Sequence, residues 1–168
     1  MTNEQILEKE LIGTRKPHIT HFYNDGGRSK YFKGEKVRDC VVRAIAVAAN
    51  LDYKEVYDEL WKRNKQYLKR NRENSVTRAL EKRGCSPRNG NYREIYNKYL
   101  TDLGFKWITT MGSCTGTVVH VKQGELPTEG NLILWVSGHL SSVINGELHD
   151  TYDCSREGTR KVYGYWIK

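Results

Sequence analysis

Three side chains of this sequence could together perform nucleophilic chemistry, namely Cys40, His139 and Asp150. Cys40 begins the run CVVRAIAVAAN, in which only Arg43 is plainly polar before Asn50, and this pattern predicts a mostly buried helix. At the first position of a helix, free backbone N–H groups and the helix dipole stabilise a thiolate. The N–H group of Cys40 could also bind an oxyanion. A cysteine among small apolar residues is more often a core residue, so its position alone does not decide between the two roles.

Asp39 stands immediately before this helix and is predicted to be its N-cap. A carboxylate beside Cys40 would raise the pKa of the thiol unless its charge were compensated. A low pKa at Cys40 therefore requires that capping take up the charge of Asp39.

The dipeptide Asn145-Gly146 predicts a two-residue hairpin turn and with it the pairing of the strands on either side. Counting outward from the turn, Ile144 should face Glu147, and Ser141 should face Asp150.

In this register His139 and Asp150 lie on one face of the hairpin as diagonal neighbours. Such neighbours have Cα atoms about 7 to 8 Å apart, so the two side chains can form a hydrogen bond that fixes the imidazole tautomer. His149 and Asp153 fall on the opposite face. The register thus selects Asp150 over Asp153 as the acid that orients the histidine.

A thiol at a helix start, an imidazole on a strand and a carboxylate on the next strand match the nucleophile, base and orienting acid of thiol hydrolysis. With RDCVVRAIAVAA around the cysteine and NLILWVSGHLSSVINGELHDTYDC around the other two residues, the sequence resembles the papain-like superfamily. It is most similar in pattern to small bacteriocin-processing cysteine peptidases and related phage or bacterial proteins. The resemblance implies a catalytic triad of Cys40, His139 and Asp150. It also implies an α+β fold, with N-terminal helices and the nucleophile-bearing helix packed on a C-terminal antiparallel sheet.

The sequence departs from the papain-like pattern at the oxyanion hole. Peptidases of this type usually place a glutamine several residues before the nucleophile, and the stretch from Lys33 to Asp39 contains none. The backbone N–H of Cys40 is one predicted oxyanion donor. Asn24 or Lys36 could supply the second.

The chain is predicted to be one compact domain, with residues 1–38 as an N-terminal arm and residues 39–168 as the papain-like cysteine hydrolase domain. Helices come first and strands afterwards, which indicates an α+β fold with antiparallel pairing. Within the arm, a short helix is predicted over Thr2–Leu11 and a turn at Asn24–Gly27. Further helices are predicted after Asp52 through Tyr67, over Val76–Arg83 and over Tyr92–Leu103; strands are predicted over Phe105–Thr109, Thr117–Lys122, Asn131–Ser137, His139–Ile144, Glu147–Tyr152 and Lys161–Ile167.

Composition indicates a protein of the cytosol. No apolar run approaches the roughly 20 residues of a membrane span, and Met1–Leu11 is acidic and polar where a signal peptide would be basic and then apolar. The four cysteines are far apart without a CxxC motif, so free thiols are expected. No membrane partner is expected.

No cofactor or metal is expected either. His18 and His21 have the spacing of metal ligands, and Cys154 with Asp153 or His149 could be imagined as further ligands. Nothing in the sequence imposes a four-ligand pattern. Surface histidines are the favoured interpretation.

The formal net charge is +8, and the excess is concentrated between Lys62 and Arg93. Such a segment is usually a solvated helical face, although lysines and arginines interleaved with Trp61 and Tyr67 could bind nucleic acid. Both aromatic residues fall on the apolar stripe of the helix and are expected in the core.

Two hypotheses follow. The first is a thiol (cysteine) peptidase acting on a protein or peptide through a thioester, with acyl transfer to an amine as a variant. The second is a catalytically inactive papain-like module that binds a protein or nucleic acid through its basic helical face.

Overall fold

The computed structural model describes residues 18–34, 37–111 and 118–168 of the chain. These residues form an α+β fold of four α-helices and a six-stranded mixed sheet. The predicted helix over Thr2–Leu11 lies outside the described residues. The helices are α1 (Cys40–Ala49), α2 (Tyr53–Arg70), α3 (Ser75–Arg83) and α4 (Arg93–Asp102); the strands are β1 (His21–Tyr23), β2 (Lys106–Thr109), β3 (Asn131–Val136), β4 (His139–Ile144), β5 (Glu147–Asp150) and β6 (Val162–Ile167), with a short 3-10 helix at Arg28–Lys30.

Capping residues mark the starts of two helices and the end of a third. Asp52 accepts a hydrogen bond from the backbone N–H of Lys54 and so caps α2. Asn74 forms a capping box with Thr77 at the start of α3. Asn50 ends α1 in the left-handed conformation, with φ of 53°.

Asp39 precedes α1, but its side chain makes no capping hydrogen bond. Asp39 occupies the predicted N-cap position, but capping does not compensate its charge. Its carboxylate instead accepts hydrogen bonds from the Arg43 guanidinium and the Tyr53 hydroxyl.

The sheet has the order β1-β5-β4-β3-β6-β2. The Asn145-Gly146 hairpin has the predicted register, with Ile144 opposite Glu147 and Ser142 opposite His149. The four pairs from β5 to β2 are antiparallel, as expected.

The prediction of a purely antiparallel sheet is wrong at one edge. Strand β1 pairs with β5 in parallel, with His21 opposite Leu148 and Tyr23 opposite Asp150. The strand belongs to the segment assigned to an arm, and at three residues it is too short to show an alternating pattern. The partner strand lies more than a hundred residues further along the chain, so no turn signal reveals the pair.

The segment Thr117–Lys122 was expected to form a strand. Its described part, residues 118–122, forms only an isolated bridge between His120 and Lys161. The backbone N–H and the ring of His120 both bind the Glu125 carboxylate, which draws this segment into a turn.

The central strands are buried on both faces. Ile133 and Leu140 pack beneath α1 and α2, while Leu132, Leu134 and Val143 face a second cluster that includes Ile19 and Cys154. This two-sided burial explains why β3 reads as a nearly continuous apolar run.

Helix α1 is held on the sheet by packing and by one buried hydrogen bond. The Ser142 hydroxyl on β4 donates to the carbonyl of Ala44 at 3.1 Å. Gly26 allows the N-terminal segment to pass close to the helix, because a Cβ atom there would lie 3.1 Å from the carbonyl oxygen of Arg43. The start of α1 is thus fixed over β4 and β5.

None of the helices in the described ranges is both long and apolar enough to cross a membrane.

Replacing Ile133 with alanine should lower the free energy of unfolding by about 2 to 5 kcal/mol, because the side chain is fully buried and its loss leaves a cavity. The matched control is Ile108→Ala on β2, where the side chain is 42% exposed, and a loss of about 1 kcal/mol or less is expected. Urea denaturation measures both. Equal losses would contradict the two-sided burial of β3.

Candidate active site

Cys40 and His139 open onto the same surface cleft. Its volume is about 820 Å³, and Tyr23, Tyr152 and Trp135 contribute aromatic walls. Cys40 is the first residue of α1, as predicted, and its thiol is partly buried. The sequence-predicted nucleophile therefore lies at a helix N-terminus that faces solvent.

His139 is the first residue of β4 and follows a two-residue turn, Ser137-Gly138, that sets it opposite Val136. Gly138 has φ of 68°, a conformation that favours glycine. The turn places the imidazole at the end of the strand, where it can reach across to helix α1.

The His139 imidazole donates from Nε2 to Oδ2 of Asp150 at 2.6 Å. This bond leaves Nδ1 for the Cys40 thiol, which lies against the ring. The three residues of the predicted triad therefore lie together, with His139 between Cys40 and Asp150. The diagonal contact between His139 and Asp150 follows from the hairpin register.

The thiol and the imidazole shift each other toward the charged forms. Burial opposes a thiolate, but the hydrogen bond and positive charge of His139, with the backbone N–H of Leu140, lower the pKa of Cys40. Burial likewise opposes an imidazolium, but Asp150 and then Cys40 raise the pKa of His139 to about 9. Each shift favours the ion pair of a thiolate and an imidazolium over the neutral pair.

Asp150 is held ionised at the centre of the site. Burial raises the pKa of a carboxyl group, but the bond and charge of His139, with Arg43, lower that of Asp150 to about 2. The Arg43 guanidinium donates to Oδ1 at 2.7 Å, and the backbone N–H of Thr151 donates to the same oxygen at 2.7 Å. Each carboxylate oxygen therefore has a fixed partner.

Arg43 also binds the other buried carboxylate. Its Nε donates to Oδ1 of Asp39 at 3.1 Å, and the Tyr53 hydroxyl donates to Oδ2 at 2.8 Å. Arg28 lies 3.7 Å from Asp39 as a second cation. The charge of Asp39 is compensated by arginines rather than by capping, so the anion beside Cys40 does not prevent thiolate formation.

Sequence reasoning missed Arg43 as a site residue. The available signal was a single cation in an otherwise apolar helix, four residues after an aspartate and so on the same helical face. The connection to Asp150 could not be read from the sequence, because it joins residues 107 positions apart.

Asn24, the other predicted oxyanion donor, lines a small inner cavity together with Cys40. Its side-chain N–H group lies 3.3 Å from Nδ1 of His149, and its carbonyl oxygen accepts from the backbone N–H of Gly26. It is not among the residues that line the cleft. Lys36 lies outside the described residues. The backbone N–H of Cys40, at the start of α1, stays the predicted oxyanion donor.

Cys154 also lies in the region of the site, close to His139 and Asp150. It is 1% exposed, and burial raises the pKa of its thiol to about 11. Its sulfur, with ligand atoms of His139 and Asp150, forms a group within 4.8 Å that could hold a metal ion. Both Asp150 oxygens, however, already accept strong hydrogen bonds, so the polar groups fit a triad without a cation.

His18 and His21, whose spacing is that of metal ligands, do not converge on one site. His21 donates from Nε2 to the backbone carbonyl oxygen of Asp150 at 3.0 Å, while His18 is exposed. Cys85 is a partly buried free thiol, and Cys114 lies outside the described residues.

The basic region Lys62–Arg93 lies on more than one surface, because its lysines on α2 line one groove and Arg83 lines the cleft of Cys40. Lys62, Lys65 and Lys69 line a shallow groove on α2 together with Trp61. Trp61 is 36% exposed, so the expectation that it lies in the core is wrong. The aromatic ring is covered by a lysine ammonium instead, since Nζ of Lys65 lies 5.0 Å from its centroid.

Comparison of the chain with protein-family models, with curated proteins and with solved structures finds no match. Functional inference therefore depends on the residues and geometry of the site.

Replacing Arg43 with methionine should lower the free energy of unfolding by about 3 to 5 kcal/mol, because it leaves two buried carboxylates without the cation that they share. The matched control is Arg78→Met. Arg78 has a 66% exposed side chain 3.6 Å from Glu73, and a loss of about 1 kcal/mol or less is expected. Thermal or urea denaturation compares the two variants; similar losses would contradict the bridging role of Arg43.

Proposed function

We propose that this protein is a papain-like cysteine hydrolase that attacks amide bonds, most simply peptide bonds, through a thioester on Cys40. The proposal rests on one observation: at an open cleft, Cys40 contacts His139, and His139 is hydrogen-bonded to Asp150. A structural cysteine would not need an imidazole partner whose other nitrogen is held by a buried carboxylate. The arrangement matches the general scheme of nucleophile, base and orienting group.

In the proposed reaction the Cys40 sulfur attacks the carbonyl carbon of the bound amide. The carbonyl oxygen becomes an oxyanion near the N-terminus of α1, where the backbone N–H of Cys40 and the helix dipole favour negative charge. His139 then gives its Nδ1 proton to the leaving amine as the C–N bond breaks. The product of this half-reaction is a thioester on Cys40 and a free amine.

Water completes the cycle. His139, now neutral, takes a proton from a water molecule as its oxygen attacks the thioester carbon, and the C–S bond breaks to release a carboxylic acid and the Cys40 thiolate. Asp150 keeps Nε2 of His139 protonated throughout, so that Nδ1 is the nitrogen that exchanges protons. An amine in place of water would give acyl transfer with the same residues.

A second candidate function is binding of nucleic acid without catalysis. It is favoured by the groove on α2, where exposed Trp61 lies among Lys62, Lys65 and Lys69. Affinity at this surface should fall steeply with salt and survive Cys40→Ala.

A cytosolic location also stays a prediction from the sequence.

The proposal predicts that the purified protein cleaves members of a complex peptide mixture, with new termini detected by mass spectrometry. Cys40→Ala should abolish cleavage, and His139→Ala should reduce it by roughly 100- to 10,000-fold. Cys85→Ala is the matched control, because Cys85 is also a partly buried free thiol, and it should leave cleavage unchanged. Rapid acid quenching should capture an acyl group on Cys40.

Cleavage that persists in Cys40→Ala would assign the activity to another source. Absence of cleavage and of acyl capture in the unmodified protein, together with salt-dependent binding of single-stranded nucleic acid, would favour the second function.

A further inference from the structure

Three arginines lie beside the reactive pair in positions that the proposed reaction does not use. Arg38 and Arg83 line the cleft that contains Cys40 and His139. Both also line an adjoining groove of about 720 Å³, to which Arg88 contributes as well. Arg38, Arg83 and Arg88 are called the arginine wall below, because they form one continuous basic side of the two cavities.

The arginine wall is joined to the body of the protein by backbone and aromatic contacts. The backbone N–H of Arg38 donates to the carbonyl oxygen of Arg88 at 3.2 Å, which links the segment before α1 to the loop after α3. The Arg88 guanidinium stacks 4.3 Å from the ring centroid of Phe32. Arg83 is the last residue of α3. These contacts hold the Arg88 guanidinium and the backbone of Arg38 in place, while the side chains of Arg38 and Arg83 are exposed beside the cleft.

The charge of the arginine wall is not compensated in the described part of the chain. Arg28 and Arg43, which also line the cleft, are paired with Asp39 and Asp150. By contrast, no described carboxylate lies within 4.0 Å of a nitrogen of the arginine wall. The described residues form twelve ion pairs, and none of them includes Arg38, Arg83 or Arg88. Among the described residues no Asp or Glu lines the cleft or the groove.

A wall of arginines is suited to carboxylates. The planar guanidinium can donate two parallel N–H bonds to one carboxylate, which gives geometric specificity that a lysine cannot match. A cleft lined by positive charges also raises the local concentration of anionic ligands. The lysines of α2 lie in a separate groove and do not contribute to this field at short range.

We infer that the protein acts on acidic peptides, in which Asp or Glu side chains next to the attacked amide bond bind Arg38 and Arg83. The inference rests on the proposed function, because it concerns the substrate of the same cleft. A peptide carboxylate fits better than a nucleic-acid phosphate, since attack by the Cys40 thiolate requires an acyl carbon that nucleic acids do not offer there.

The test compares two synthetic peptide pools of equal length that differ only in Glu against Gln at positions around a central bond. The unmodified protein should cleave the Glu pool at least about tenfold faster in kcat/KM than the Gln pool, the difference expected for charge-assisted hydrogen bonds. The double variant Arg38→Gln with Arg83→Gln should lose this preference while retaining cleavage of the Gln pool.

The matched control removes the same charge away from the cleft. Arg70 and Arg72 are exposed and do not line it, so Arg70→Gln with Arg72→Gln should retain the preference for Glu. Equal cleavage of both pools by the unmodified protein would overturn the inference and leave the proposed hydrolysis standing. If both double variants lost the preference for the Glu pool equally, the preference would be an effect of net charge alone. That result would also overturn the inference.

If neither pool is cleaved, the hydrolysis proposal fails in this assay, and the binding of fluorescent pools to Cys40→Ala decides the inference. Tighter binding of the Glu pool that the Arg38→Gln, Arg83→Gln changes abolish would support an acidic-peptide site without hydrolysis. Equal or undetectable binding of the two pools would overturn it. So would displacement of the Glu pool by a single-stranded oligonucleotide that binds more tightly.

Discussion

The structure of the site depends on the buried bridge that Arg43 forms between Asp39 and Asp150. One carboxylate precedes helix α1 and the other ends strand β5, so the guanidinium between them fixes the start of the helix relative to the sheet. His139, and to a smaller extent this bridge, lower the pKa of Asp150. Burial of such charges is costly unless each is paired and hydrogen-bonded. Here both carboxylates accept several bonds, so the cost is offset while the geometry at Cys40 is set.

The N-terminal segment completes this arrangement from the other side. Strand β1 pairs in parallel with β5 and places His21 against the carbonyl oxygen of Asp150. The backbone N–H of Asn24 donates to the same carbonyl oxygen at 3.0 Å. The strand end that carries the orienting acid is therefore bound on both edges, by β4 and by β1. A segment that reads as an irregular arm thus contributes directly to the rigidity of the site.

How far the sequence predicts the site depends on the range over which its signals act. The Asn145-Gly146 turn determines the register locally, and that register brings His139 to Asp150. The helix beginning at Cys40 follows equally from a local apolar pattern. The Arg43 bridge and the parallel strand β1 could not be predicted, because each joins segments more than a hundred residues apart without a distinctive local pattern. The sequence likewise gives no sign that the basic region is divided between two grooves.

The central claim is that His139 stabilises a thiolate at Cys40, and the most direct measurement is the pH dependence of iodoacetamide labelling at Cys40, located by mass spectrometry. In the unmodified protein, labelling should already be rapid near neutral pH, with a midpoint well below the roughly 8.5 of an ordinary cysteine. In His139→Ala the midpoint should rise, and labelling near pH 7 should slow at least about tenfold. Cys85 in the same molecule provides the internal reference. A Cys40 that labels no faster than Cys85, or whose profile is unchanged in His139→Ala, would contradict the account.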